Sequence, residues 1–82
     1  MKGEIVTENN CKVGDKIIYS EKYLRDNRYY KEIVQAYNII YLKIKSKNNS
    51  DIHVNLIDYK GFVHNTFYHR ILEGRDKFRF YE

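Results

Sequence analysis

Hydrophobic and polar residues alternate most regularly between Asn38 and Phe62. On both sides of a polar stretch around Asn48 and Asn49, apolar side chains recur at every second position. This is the period of a strand with one buried face, and two such runs around an Asn-rich turn predict an antiparallel hairpin. The predicted core face of the hairpin consists of Ile40, Leu42, Ile44, Ile52, Val54 and Leu56.

Before the hairpin, two shorter segments have the composition of strands. Gly3–Thr7 is a short apolar stretch that is expected to form an edge strand. Gly14 and Asp15 form a turn signal directly before a β-branched run. The segment from Val13 to Tyr19, with the sequence Val-Gly-Asp-Lys-Ile-Ile-Tyr, resembles the opening strand of small SH3-like barrels. This resemblance implies a fold and no functional residue.

After the hairpin, a second turn is expected at Asp58–Phe62, where Gly61 can adopt a positive φ. The next strand is expected to run toward Leu72, with an interruption at Asn65–Thr66. The tail Lys77–Tyr81 alternates again, and such a tail must pair with another segment to be ordered. It either completes the sheet or pairs with a second subunit, which makes a homodimer a candidate assembly.

The segment between the first strand and the hairpin is the ambiguous part of the chain. Ser20–Tyr30 shows no periodicity, and in an SH3-like barrel it is expected to be the long first loop. From Asp26 to Tyr37 the β-branched and aromatic residues favour a strand. The alternative is a helix that Asp26 or Asn27 caps. Its apolar stripe would consist of Tyr30, Ile33, Val34, Tyr37 and Tyr41.

The predicted fold class is therefore mainly β, as a small antiparallel sheet or an SH3-like barrel. An α+β fold with one helix near 27–37 is the alternative. The chain has 82 residues, enough for one modest core, so residues 1–82 are expected to form a single small basic domain.

Cysteine content and hydropathy indicate the compartment. Cys11 is the only cysteine, which excludes an intramolecular disulfide. No apolar run approaches the roughly 20 residues that span a bilayer, and Met1–Val6 lacks the apolar segment of a signal peptide. We expect a cytoplasmic protein without a membrane partner.

The residues used in catalysis and metal binding occur without the spacing that such sites need. His53, His64 and His69 form no HExxH motif, and the cysteine is distant from them in sequence. Cys11 lies in a polar turn without the basic surroundings that activate a thiol. The chain has no Gly-x-Ser-x-Gly motif and no phosphate-binding glycine series. We therefore expect no enzyme activity, no metal site and no cofactor.

Basic residues are concentrated in the middle of the chain. The net charge is +4, and residues 22–47 alone contain seven basic residues against two acidic ones. Cations neutralise phosphates and aromatic rings stack on bases, so this combination is typical of surfaces that hold single-stranded nucleic acid. The sequence predicts contact with RNA or single-stranded DNA. The candidate residues are Arg25, Arg28, Lys31, Tyr41, Lys43, Lys45, Lys47 and His53.

Two other interpretations of these residues remain open. Antiparallel sheets commonly expose a charged, solvated face that binds no ligand. Tyr and Arg are also favoured anchors of protein interfaces. The alternative function is therefore a phage-type accessory protein that inhibits a host protein by direct contact, with an acidic protein surface as the partner.

Overall fold

The structure, a computed structural model, describes residues 3–81, which form five strands and two short helices. The elements in chain order are β1 (Lys16–Tyr19), α1 (Glu21–Asp26), α2 (Arg28–Ala36), β2 (Ile39–Asn48), β3 (Asp51–Asp58), β4 (Val63–Arg70) and β5 (Phe78–Phe80). All neighbouring strands are antiparallel, in the order β4-β3-β2-β1-β5. The prediction of a mainly β fold with a small antiparallel sheet is confirmed.

The central hairpin is formed by β2 and β3, as the alternation predicts. Leu42 pairs with Leu56 and Ile44 with Val54, and all four side chains are buried. Ile40 is the exception. The β2–β3 register shifts between Ile39 and Tyr41, and this bulge turns the Ile40 side chain outward. Ile40 is 40% exposed and Ile39 occupies the core instead, so the prediction for Ile40 is wrong.

Both helices lie in the segment for which a loop and a strand were expected, so those two expectations are wrong. The side chain of Ser20 caps α1 by accepting a hydrogen bond from the backbone N–H of Tyr23 at 3.0 Å. The apolar stripe of α2 packs against the sheet through Tyr30, Ile33 and Val34. This tertiary packing outweighs the weak intrinsic preference of β-branched and aromatic residues for strands. The helix alternative near 27–37 is the one that the structure contains.

The strands after the hairpin complete the sheet within the chain. β4 continues through Asn65–Thr66 without the expected interruption, because Thr66 remains in register with Asn55 and donates a 2.7 Å hydrogen bond to its side chain. β5 pairs with β1 on one side. On its other side, the backbone N–H of Val6 donates to the carbonyl of Phe78 at 3.0 Å. The aromatic tail is therefore ordered by its own chain.

The two faces of the sheet have different surroundings. The inner face carries the core, including Ile17, Leu42 and Phe78, and both helices pack against it. The sheet curls so that the ring of His69 on β4 lies 5.3 Å from that of Tyr19 on β1. The contact between His69 and Tyr19 is made by side chains alone. Within residues 3–81, the edge strands β4 and β5 are not joined by backbone hydrogen bonds, so the sheet stays open. The opposite side is called the outer face.

The helices of the described part of the chain contain six and nine residues. In residues 3–81, neither is long and apolar enough to cross a membrane.

Candidate nucleic-acid interface

Four side chains from three segments meet on the outer face. Ile17 and Leu42 pair on the inner face, so their neighbours Lys16 and Lys43, which are also paired in register, point outward. Tyr41 precedes Lys43 by two positions and shares its face. The backbone N–H of Tyr81 donates to the carbonyl of Lys16 at 3.1 Å and brings Tyr81 alongside Lys16. We call Lys16, Tyr41, Lys43 and Tyr81 the outer patch.

The aromatic part of the outer patch is a stacked pair. The rings of Tyr41 and Tyr81 lie 5.4 Å apart, with 27° between their planes. The ammonium group of Lys16 lies 4.8 Å from the centre of the Tyr41 ring, within the range of a cation–π interaction. These contacts hold the Tyr41 ring in a defined orientation at the surface.

The basic part of the outer patch is electrostatically unbalanced. Like charges on directly opposed strand positions destabilise a sheet, and Lys16 and Lys43 are opposed in this way. In residues 3–81, no carboxylate lies within 4 Å of either ammonium group. An anion bound between the two lysines would relieve their repulsion.

A second register shift separates the remaining lysines of β2. The β2–β3 register shifts between Ile44 and Ser46, which leaves Lys45 exposed at the bulge. Beyond it Lys47 pairs with the buried Ile52, so Lys47 lies on the inner side of the sheet. There its charge acts on Cys11, whose thiol pKa is nevertheless raised because burial is the larger effect. Alternation alone would have placed Lys47 beside Lys43.

A second aromatic pair lies on the outer face of β3 and β4. The ring of His53 lies 5.4 Å from that of Tyr68, with 58° between their planes. His53 Nδ1 is 3.1 Å from the hydroxyl of Ser46, its partner across the strands. Tyr68 is 53% exposed, so its ring is accessible to a ligand.

The basic residues of the helices divide into two groups. Arg25 on α1 lines a groove that also contains Ile18 and Arg79, which pair with each other on the outer face. Arg28 and Lys31 lie on the exposed side of α2, whose other side packs on the inner face. These two cations therefore point away from the outer patch.

The structure thus brings together only part of the predicted set. Tyr41 and Lys43 belong to the outer patch, and His53 lies on the same face. Three residues of the outer face, Lys16, Tyr81 and Tyr68, are not among the candidates that the sequence predicts. All three occupy alternating positions in their segments, but their association with β2 and β3 depends on strand pairing that connects distant parts of the chain.

Two further histidines make side-chain contacts away from the outer patch. His69 Nε2 lies 2.7 Å from the hydroxyl of buried Tyr19. His64 Nε2 lies 2.6 Å from a carboxylate oxygen of Asp58, and its ring lies 4.8 Å from that of Tyr37. Among residues 3–81, no three His, Cys, Asp or Glu side chains are grouped so that they could hold a metal ion.

No family model matches this chain, and neither a curated protein nor a solved structure matches it.

Proposed function

We propose that this protein is a non-enzymatic binding domain that holds single-stranded nucleic acid, RNA or DNA, on the outer patch. The observation that carries the proposal is the opposed pair Lys16 and Lys43 beside the stacked rings of Tyr41 and Tyr81. Phosphate attraction and base stacking are the two interactions by which proteins hold single strands without requiring a particular sequence.

Each part of the outer patch has a defined role in this proposal. A backbone phosphate binds between Lys16 and Lys43 and relieves their mutual repulsion. A base stacks on Tyr41, and the flexible side chain of Lys16 moves from that ring to the phosphate. The His53–Tyr68 pair offers a second aromatic surface on the same face.

The arrangement of the helices favours a single strand over a duplex. Proteins that read duplex DNA commonly place a helix in the major groove. Here α2 packs its apolar stripe on the core, and α1 contains only six residues. The sheet exposes rings that can stack only on bases that are not already paired and stacked within a duplex.

Fluorescence anisotropy with labelled ten-nucleotide oligo(U), oligo(dT) and a duplex of equal length tests the proposal. The logarithm of the binding constant falls linearly with the logarithm of the salt concentration, and each phosphate contact to a single strand contributes about 0.7 to this salt slope. Lys43→Ala removes one such contact and should therefore weaken single-strand binding about fivefold at 0.1 M salt. Lys60→Ala, which removes the same charge from the turn beyond β3, is the matched control. Failure of the unmodified protein to bind any probe at low salt would refute the proposal.

A second pair of variants tests the stacking role. Tyr41→Ala should reduce affinity roughly 5-fold to 150-fold, the loss expected when one base no longer stacks on an aromatic ring. Tyr41→Phe keeps the ring and should keep most of the affinity. Tyr59→Ala removes an equally large ring, 62% exposed at the β3–β4 turn, and should leave binding unchanged.

A separate observation favours a second candidate function, inhibition of another protein by direct contact. Tyr59, Phe62 and Val63 are each more than half exposed and lie together at the β3–β4 turn. Exposed apolar patches commonly mark protein interfaces. A partner that is retained after nuclease treatment, and is lost with Phe62→Ser but kept with Lys43→Ala, would support this function over nucleic-acid binding.

A further inference from the structure

A groove of about 430 Å³ lies between α1 and the start of β5, at one side of the outer face. Lys22 and Arg25 from α1 form one wall, and Arg79 from β5 forms the other. Asp76 and Glu21 are its acidic lining residues. The groove therefore contains three cations and two carboxylates and lies outside the outer patch.

The groove is continuous with the outer patch through Ile18. The ladder between β1 and β2 ends at Ile17 and Leu42, and beyond that pair the two strands diverge. An apolar cavity of about 180 Å³ opens where they separate, with Ile18 and Tyr41 in its lining. Ile18 pairs with Arg79 across β1 and β5 and lines the cavity together with Tyr41, so it lies between the Tyr41 ring and the groove.

The charges of the groove are not fully paired. Arg79 binds Asp76 through its Nε at 2.8 Å and also donates to the backbone carbonyl of Gly3. The hydrogen bond from Arg79, with a smaller contribution from the charge of Lys22, holds the pKa of Asp76 below its usual range, so this carboxylate stays ionised and chiefly neutralises the guanidinium. In residues 3–81, no carboxylate lies within 4 Å of the charged group of Lys22 or Arg25.

We infer that the bound single strand crosses the sheet at Ile18 and places backbone phosphates in this groove, on Lys22 and Arg25. The inference rests on the proposed function and extends its site beyond the outer patch. It also separates the cations of the two helices: Arg25 contacts the ligand, whereas Arg28 and Lys31 on the exposed side of α2 do not.

Two double variants with the same loss of charge test the inference. Lys22→Ala/Arg25→Ala removes both phosphate contacts, and Arg28→Ala/Lys31→Ala removes two cations from the neighbouring helix. Two contacts to a single strand contribute about 1.4 to the salt slope, so the first variant should bind labelled ten-nucleotide oligo(dT) about 25-fold more weakly at 0.1 M salt. The control should lose less than roughly threefold, because salt screens distant charges.

Probe length provides a second measurement. The affinity of the unmodified protein should rise when the probe is extended from a length that covers only the outer patch to one that also reaches the groove. The Lys22→Ala/Arg25→Ala variant should lose this gain while it still binds the short probe. Lys22 and Arg25 are both exposed, so replacing them should leave the fold intact. Far-ultraviolet circular dichroism verifies that the variant is folded.

The possible outcomes distinguish this inference from the proposed function. If both double variants weaken binding equally, or if the groove variant keeps the full gain with probe length, the inference is refuted and the outer patch remains the binding site. If the unmodified protein binds no probe, the proposed function and the inference are both refuted.

Discussion

Acidification should destabilise this protein through His69. The imidazole is only 3% exposed, and its Nε2 lies 2.7 Å from the hydroxyl of Tyr19. Burial, with a smaller contribution from the charge of Lys77, lowers the pKa of His69 from 6.5 to about 4. The folded protein therefore holds this imidazole neutral at pH values at which the unfolded chain protonates it.

The size of the effect follows from this difference in pKa. Because the folded pKa lies below the unfolded value, the unfolded state binds more protons between them, and stability falls as the pH falls through that window. Each pKa unit corresponds to about 1.4 kcal/mol. His69 alone should therefore lower the free energy of unfolding by about 2 kcal/mol between pH 7 and pH 5, and the loss should be complete below pH 4.

Urea unfolding at pH 7, 6 and 5, followed by far-ultraviolet circular dichroism, measures this loss. The matched control is the double variant Tyr19→Phe/His69→Phe, which replaces both hydrogen-bonding partners with apolar rings and so leaves no unpaired buried group. The control retains His53 and His64, so the difference between the two proteins isolates His69. If the control loses as much stability as the unmodified protein, or if neither changes, the reasoning is refuted.

Three further substitutions test the packing and backbone of the fold by urea unfolding at pH 7. Ser20→Ala should cost about 2 kcal/mol, because the hydroxyl caps α1 at Tyr23 and donates to the carbonyl of Asp76; a cost near zero would contradict that role. Phe78→Ala empties a fully buried site and should cost about 3–5 kcal/mol; a smaller loss would mean that the core collapses around the cavity. Gly61→Ala should cost about 1–2 kcal/mol, since φ is +88° although a Cβ would meet no atom within 4 Å; unchanged stability would contradict the positive φ.

Several features of this chain follow from local sequence patterns. The alternation around Asn48 and Asn49 determines a hairpin, because a strand with one buried face needs apolar side chains at every second position. The turn signal at Gly61 determines the next connection, and Gly61 adopts the positive φ that other residues avoid. The excess of basic residues is likewise a property of the sequence, and it favours an anionic ligand.

Tertiary structure decided which residues share a surface. Single-residue bulges reverse the side-chain direction in β2, so Ile40 lies outside the core and Lys47 lies on the inner side, and alternation alone cannot reveal such a shift. The helical state of 28–36 depends on packing against the inner face, since its local propensities are divided between strand and helix.

The outer patch shows the same division most clearly. Tyr41 and Lys43 are neighbours in sequence, and their shared face was predictable. Lys16 and Tyr81 join them only because β1 pairs with both β2 and β5. Cross-strand pairing brings together residues far apart in the chain, and it depends on the packing of the whole core, which no local pattern of the sequence encodes.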